Sequence, residues 1–144
     1  MTPLTTAQIP TVGLEFMNHD HAEAAQQINQ LDYLISQANE GDNTALSAIE
    51  PLLTEIYAHN QSHFAREEAQ MVRVGFPAYE CHKGEHERVL EEFRQLLVQW
   101  QDHADLTLLA AYLNDILCQW LIQHISTMDS VTAMFVNRHD CSAA

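Results

Sequence analysis

His63-Phe64-Ala65-Arg66-Glu67-Glu68-Ala69-Gln70-Met71-Val72-Arg73-Val74-Gly75-Phe76-Pro77-Ala78-Tyr79-Glu80-Cys81-His82-Lys83-Gly84-Glu85-His86 holds the end of one helix, a break and the start of the next. Gly75-Phe76-Pro77 is the break, with glycine suited to a helix C-terminus and proline to the first position of the following helix. On either side stand His63-x-x-x-Glu67 and His82-x-x-x-His86. Residues four apart on an α-helix lie about 40° apart around the axis and about 6 Å apart along it. Each pair can therefore converge on one ion, or bind one ion while reaching toward a second. Both pairs continue apolar stripes: Leu53, Ile56, Asn60, His63, Glu67 and Met71 on one helix, and His82, His86, Val89, Phe93, Leu96 and Trp100 on the other. Ionisable groups buried at such positions are costly unless paired or bound to metal, so a solvated polar face does not explain them.

The same pattern extends outward in both directions. A helix beginning near Asn18 and ending before Gly41 carries His21, Ala24, Ile28, Leu31 and Ile35 at spacings of three and four. Asp42, Asn43 and Thr44 form a turn that can cap the second helix, which runs to about Val74. Pro51 belongs either in the first turn of that helix or at a kink after a short preliminary turn. Past a turn over residues 101–105, a fourth helix places Leu109, Leu113, Ile116, Trp120 and His124 inward and continues to about Val136. Asp129 follows His124 by five residues, a rotation of about 140° in a regular helix. For both to reach one cluster, either a π-type bulge interrupts the helix or Asp129 reaches across from the inner edge.

The resulting expectation is an all-α, antiparallel up-down-up-down four-helix bundle over residues 18–137. An N-terminal arm spans 1–17 and a tail spans 138–144. His21, His63, Glu67, His82, His86, His124 and Asp129 supply enough nitrogen and oxygen donors for two metal ions in its middle. Di-metal bundles of the ferritin-like kind use Glu-x-x-His, and no Glu in this chain is followed three residues later by His.

Composition narrows the function classes. Six basic residues stand against twenty acidic ones, a formal charge of −14, which repels nucleic-acid phosphates and anionic membranes. Neither is expected as a partner. Cys81, Cys118 and Cys141 are widely spaced with no Cys-x-x-Cys, so they read as reduced packing residues rather than zinc ligands. No apolar run reaches transmembrane length, and Met1 to Gln8 has no signal-peptide pattern, which points to the cytoplasm. No spare acid or base sits on a ligand face except His59, one turn before His63, which reads as a surface or outer-layer residue. An enzyme is therefore not expected. His19, His103 and His139 read as solvated.

Taken together, His63-Phe64-x-x-Glu67-Glu68-x-x-Met71, Gly75-Phe76-Pro77 with His82-x-x-x-His86, and Trp120-Leu121-x-x-His124-Ile125-x-x-x-Asp129 resemble the helix motifs of the hemerythrins, specifically the bacterial hemerythrin-like domains. The resemblance runs from Val12-Gly13-Leu14 to Asp129. It implies two non-heme irons (Fe2+/Fe3+) joined by an oxo or hydroxo group and bridged by Glu67 and Asp129. His82, His86 and His124 would hold one iron, and His21 and His63 the other. The second iron then keeps a free position, where members of the family bind dioxygen reversibly. Phe64, Trp120, Leu121 and Ile125 would form an apolar oxygen pocket. Bacterial members usually carry Asp three residues before the first histidine and Gln just before it. Here Asn18 and Asp20 stand there, and the arm lacks the usual Trp. These departures put Asn18 and Asp20 in the outer layer, where His59 also belongs by its spacing to His63, and lead us to expect faster autoxidation than in a storage protein. They favour an oxygen- or redox-sensing module with a C-terminal signalling output domain. A free-standing oxygen carrier, a di-iron oxidase or peroxidase, and an iron-handling protein are the alternatives.

Overall fold

The computed structural model describes residues 4–5 and 7–139. Among them every regular element is helical: α1 (Glu15–Asn39), α2 (Asn43–Val74), α3 (Tyr79–His103) and a fourth rod. That rod consists of α4 (Leu106–Tyr112), π1 (Leu113–Leu117), α5 (Cys118–His124), π2 (Ile125–Asp129) and α6 (Ser130–His139). α1 packs on α2, α2 on α3, α4 against α1 and α6 against α2. The core that joins them is built from residues such as Ile28, Leu31, Ile35, Ile49, Leu53, Ile56, Phe93, Leu96, Trp100, Leu109 and Leu113. No described helix is long and apolar enough to cross a membrane.

The helix ends follow local chemistry. Asp42 accepts from the Ala45 N–H at 3.0 Å and Asp105 from the Leu108 N–H at 3.1 Å, each satisfying a free donor of a first turn. α2 stops at Gly75, whose φ of 67° is left-handed backbone that a side chain disfavours. Nothing lies within 4 Å of a Cβ placed there. Gly75→Ala is therefore expected to cost only conformational energy, about 1 kcal/mol. A thermal melt should register this as a loss of about 2–4 °C.

Four local expectations need correction. α1 begins at Glu15, three residues before Asn18. Asn18 does not cap it; its side chain clamps the arm instead, accepting from the Val12 N–H at 2.8 Å and donating to the Val12 carbonyl at 2.9 Å. Pro51 sits in the interior of α2 rather than in its first turn, because Asp42 already starts the helix at Asn43. Of the two expected places only the one after a preliminary helical stretch remains. Ile116 is 47% exposed while Leu117 is buried. The cause is π1, where Cys118 N–H bonds the Leu113 carbonyl five residues back and moves the inward stripe on by one. Cys81 is exposed rather than packed, and only Cys118 of the described cysteines is buried. Cys141 lies outside the described residues, as does most of the expected tail.

Candidate metal centre

Each donor is delivered by a helix face already committed to the interior. α1 brings His21, α2 brings His63 and Glu67, and α3 brings His82 and His86. α5 ends on His124 and π2 ends on Asp129, with the Ser130 N–H bonding the Ile125 carbonyl five residues back. The wider turn absorbs the extra residue, so Asp129 returns to the His124 side. The bulge, rather than a reach across the bundle, is what joins them. All seven side chains are buried.

They form two groups that share both carboxylates: Glu67, His82, His86, His124 and Asp129 in one, and His21, His63, Glu67 and Asp129 in the other. Within the first, Glu67 Oε1 is 3.2 Å from His86 Nε2 and 3.6 Å from His82 Nε2. Asp129 Oδ1 is 3.0 Å from His82 Nε2 and 3.1 Å from His124 Nε2. Within the second, the other oxygens serve: Glu67 Oε2 is 2.6 Å from His63 Nε2, and Asp129 Oδ2 is 2.9 Å from His21 Nε2. Each carboxylate thus turns one oxygen toward the three-histidine group and the other toward the two-histidine group.

Outer partners set which ring nitrogen faces inward. His63 Nδ1 lies 2.8 Å from Asp20 Oδ2 and His86 Nδ1 lies 2.8 Å from Glu68 Oε2. An ionised carboxylate only accepts, so in each neutral imidazole the proton is on Nδ1 and the Nε2 lone pair points in. His82 Nδ1 is 2.8 Å from the Thr132 hydroxyl, which can take the same role. Among the buried atoms that lack a properly directed hydrogen bond are His21 Nε2, His86 Nε2 and both Glu67 oxygens. Imidazole nitrogens and carboxylate oxygens aimed at a common space at short range suit a pair of cations. The donor set of imidazole and carboxylate suits iron.

Asp20 is itself held by Arg66, whose guanidinium donates to the same Oδ2. This buried carboxylate is expected to fix the His63 ring as second-layer carboxylates do elsewhere. Asp20→Ala should weaken metal binding by roughly 10–100-fold in a chelator competition, with two ions still bound at saturation.

Electrostatics show what the donors do when protons stand in for cations. Burial opposes charge on His21, yet its contacts with Asp129 and Glu67 outweigh that and raise its pKa to about 9. His63 is raised in the same way, burial opposing and Glu67 and Asp20 prevailing. Burial works against ionised Glu67 and Asp129 too, but the surrounding histidines hold both carboxyls well below the usual range.

The apolar residues divide. Phe64 stacks on His86 at 3.9 Å between ring centroids, and Trp120 stacks on His124 at 4.5 Å. Both therefore flank the three-histidine group. Trp120 is half-buried and donates to Glu85 at 2.7 Å. Leu121 and Ile125 are buried in the main core. Near the two-histidine group the ring of Phe16 lies 6.4 Å from His63, a neighbour the sequence pattern did not single out. Glu68, Thr132 and Arg66 were also missed as partners. Only Glu68, beside Glu67 in the motif, carried a local signal. His59 lies outside both donor groups, its ring parallel to that of His63 at 6.3 Å. His19, His103 and His139 are exposed.

Comparison with known proteins agrees with this geometry. The family model described as the hemerythrin HHE cation binding domain matches residues 12–136. The bacteriohemerythrin of Aquifex aeolicus is 28% identical over 127 residues, covering 88% of this chain and 92% of that protein. The bacteriohemerythrin of Ralstonia nicotianae is 33% identical over 95 residues, 66% of this chain and 64% of its own length. That of Stenotrophomonas maltophilia is 24% identical over 128 residues, covering 89% and 78%. No solved structure is a significant match. With the family model spanning nearly all of the bundle and its donors gathered in one buried cluster, the chain belongs to the hemerythrin family, whose domain binds a di-iron centre.

Proposed function

We propose that this protein binds dioxygen reversibly at a non-heme di-iron centre held by His21, His63, Glu67, His82, His86, His124 and Asp129. The observation that carries this reading is the split of Glu67 and Asp129, each with one oxygen toward the three-histidine group and the other toward the two-histidine group. Bound ferrous iron would supply the electrons and the free coordination position that dioxygen requires. The remaining work falls to the chain. Nδ1 hydrogen bonds to Asp20 and Glu68 hold the His63 and His86 rings with Nε2 inward. The two-histidine side has one nitrogen donor fewer, so it is the side left open to a small ligand. Phe64 and Trp120 cover the three-histidine side with apolar surface, and Phe16 lies beside His63 on the other. Leu121 and Ile125 belong to the adjoining core, and together these residues keep water and protons scarce. We assign no catalytic residue. His59, the one candidate acid or base, turns its Nε2 to the backbone carbonyl of Asp20 instead of to the donor cluster.

Within this function we favour oxygen or redox sensing in the cytoplasm over carriage. The observation is mechanical: His82 Nδ1 meets Thr132 at 2.8 Å, and Thr132 belongs to α6, which follows directly from Asp129 and π2. A change at the centre would thus reach the last helix through two contacts, and from there an output domain. Hydrogen exchange over residues 130–139 tests it. Protection should differ between the oxygen-free reduced protein and the oxygenated one; identical exchange in the two states would leave carriage as the function.

A further inference from the structure

All seven donors of the centre are buried, so an ion reaches them only when a covering group moves. His124 is the most accessible of the seven, at 5% exposed. It lies at the inner end of a surface groove of about 320 Å3 whose other walls are Glu85, Trp120, Gln123, Thr127 and Met128. A second cavity, of about 150 Å3, reaches His82 past mainly apolar walls, among them Phe76, Ala78, Met128 and Val131. Neither touches His21 or His63.

The two cavities differ in what they can pass. A hydrated dication gives up water only where other polar atoms replace it, and apolar walls offer none. The groove at His124 offers the Glu85 carboxylate, the Gln123 amide and the Thr127 hydroxyl.

Trp120 separates this groove from the centre. Its ring lies over that of His124, 4.5 Å between centroids and 16° from parallel. Its Nε1 donates to Glu85 Oε1 on α3 at 2.7 Å, and Arg88 holds Glu85 in turn at 2.6 and 3.0 Å. Phe64, Leu121 and Ile125 are buried and hemmed in by the core, whereas Trp120 is half-buried and has solvent to swing into. One hydrogen bond to the neighbouring helix thus pins the covering group that stands nearest the surface.

We propose that the groove over His124 is the entry and exit route for the ferrous iron of the centre, with Trp120 as its lid and Glu85 as the latch. The route rests on the reading of the seven donors as an iron site, and not on that site binding oxygen. A lid lowers one barrier for both directions, so loosening it changes the rates of uptake and release together and leaves affinity alone. A side chain that only positions His124 would change affinity instead.

The metal-free chain, kept without oxygen, is mixed with ferrous iron and uptake is timed. Loaded chain is then mixed with excess ferrozine, whose colour times release. Trp120→Phe keeps a ring beside His124 but cannot donate to Glu85. It should speed uptake and release alike by about fivefold, the factor that the loss of one hydrogen bond gives, with affinity unchanged. Val131→Trp, at an exposed wall of the apolar cavity, should leave both rates as they are. Unaltered rates in Trp120→Phe, faster release with weakened affinity, or uptake slowed by Val131→Trp each overturns the proposal. A parent chain that takes up no iron overturns the centre and its route together, whereas normal uptake with no effect of Trp120→Phe overturns the route alone.

Discussion

Glu67→Ala is expected to reduce bound iron from two ions per chain to one or none. Glu67 is fully buried, and its two oxygens divide between the two histidine groups: Oε1 lies 3.2 Å from His86 Nε2 and Oε2 lies 2.6 Å from His63 Nε2. No other side chain on α2 can substitute, since the next turns of the same face are His63 and Met71. Removing a partner of a metal ligand already costs roughly 10–100-fold in affinity. Removing a ligand shared by both ions should cost more than that at each. Glu67→Gln separates charge from shape. It keeps the side-chain volume, but one of its terminal atoms becomes an NH2 donor, which cannot bind a cation. It should therefore lose metal almost as completely while disturbing packing less. Iron analysis after gel filtration, with circular dichroism to confirm an intact bundle, makes the measurement. Two ions retained in the alanine variant would contradict a shared carboxylate.

Stripping the metal should lower the melting temperature by about 10 °C or more at neutral pH. Ligand that binds only the folded state stabilises it by about 4 kcal/mol per site when free ligand is 1,000 times Kd. For a chain near this size each kcal/mol corresponds to about 2–4 °C. The gap should also depend on pH, and the sign follows from the donors. In the stripped protein the pKa of His21 is raised from 6.5 to about 9, chiefly because Asp129 and Glu67 outweigh its burial. A raised pKa contributes stability that is fully present below 6.5 and disappears as pH climbs through about 9. Glu67 and Asp129 are shifted down, so their contribution is present above the unfolded carboxylate range and is lost on acidification. Stripped protein should thus melt highest between about pH 5 and 6.5. Bound metal demands deprotonated imidazoles, so the loaded protein gains as pH rises. The difference between loaded and stripped protein should widen from pH 6 to 9. A difference that is flat or narrows across that range would contradict a centre built from these histidines.

Much of this arrangement was legible because burial and spacing coincide. His21, His63, Glu67, His82 and His86 lie on apolar stripes of regular helices, where a period near 3.6 is dependable. Asp129 demanded a departure from that period; the five-residue gap after His124 left a π turn or a reach across the bundle as alternatives, and the structure contains the π turn. The second π turn had no such marker. Nothing chemical ties Leu113 to Leu117, so the regular period put Ile116 inward when Leu117 is the buried residue. Asn18 misled for a related reason. A residue fit to cap a helix is equally fit to clamp a neighbouring strand of backbone, and Val12 was its partner. Contacts between helices were the least visible. Asp20 with His63 and Arg66, and Thr132 with His82, depend on the rotation and offset of packed helices, which spacing within one helix does not encode.

The most direct test of the account is to purify the protein without oxygen, count its metal, and record the visible spectrum before air, after air and after degassing. The account predicts two irons per chain, a nearly colourless reduced state, a visible band that appears with air, and its loss when oxygen is removed. Zinc in place of iron, or two irons whose spectrum ignores oxygen, would contradict it.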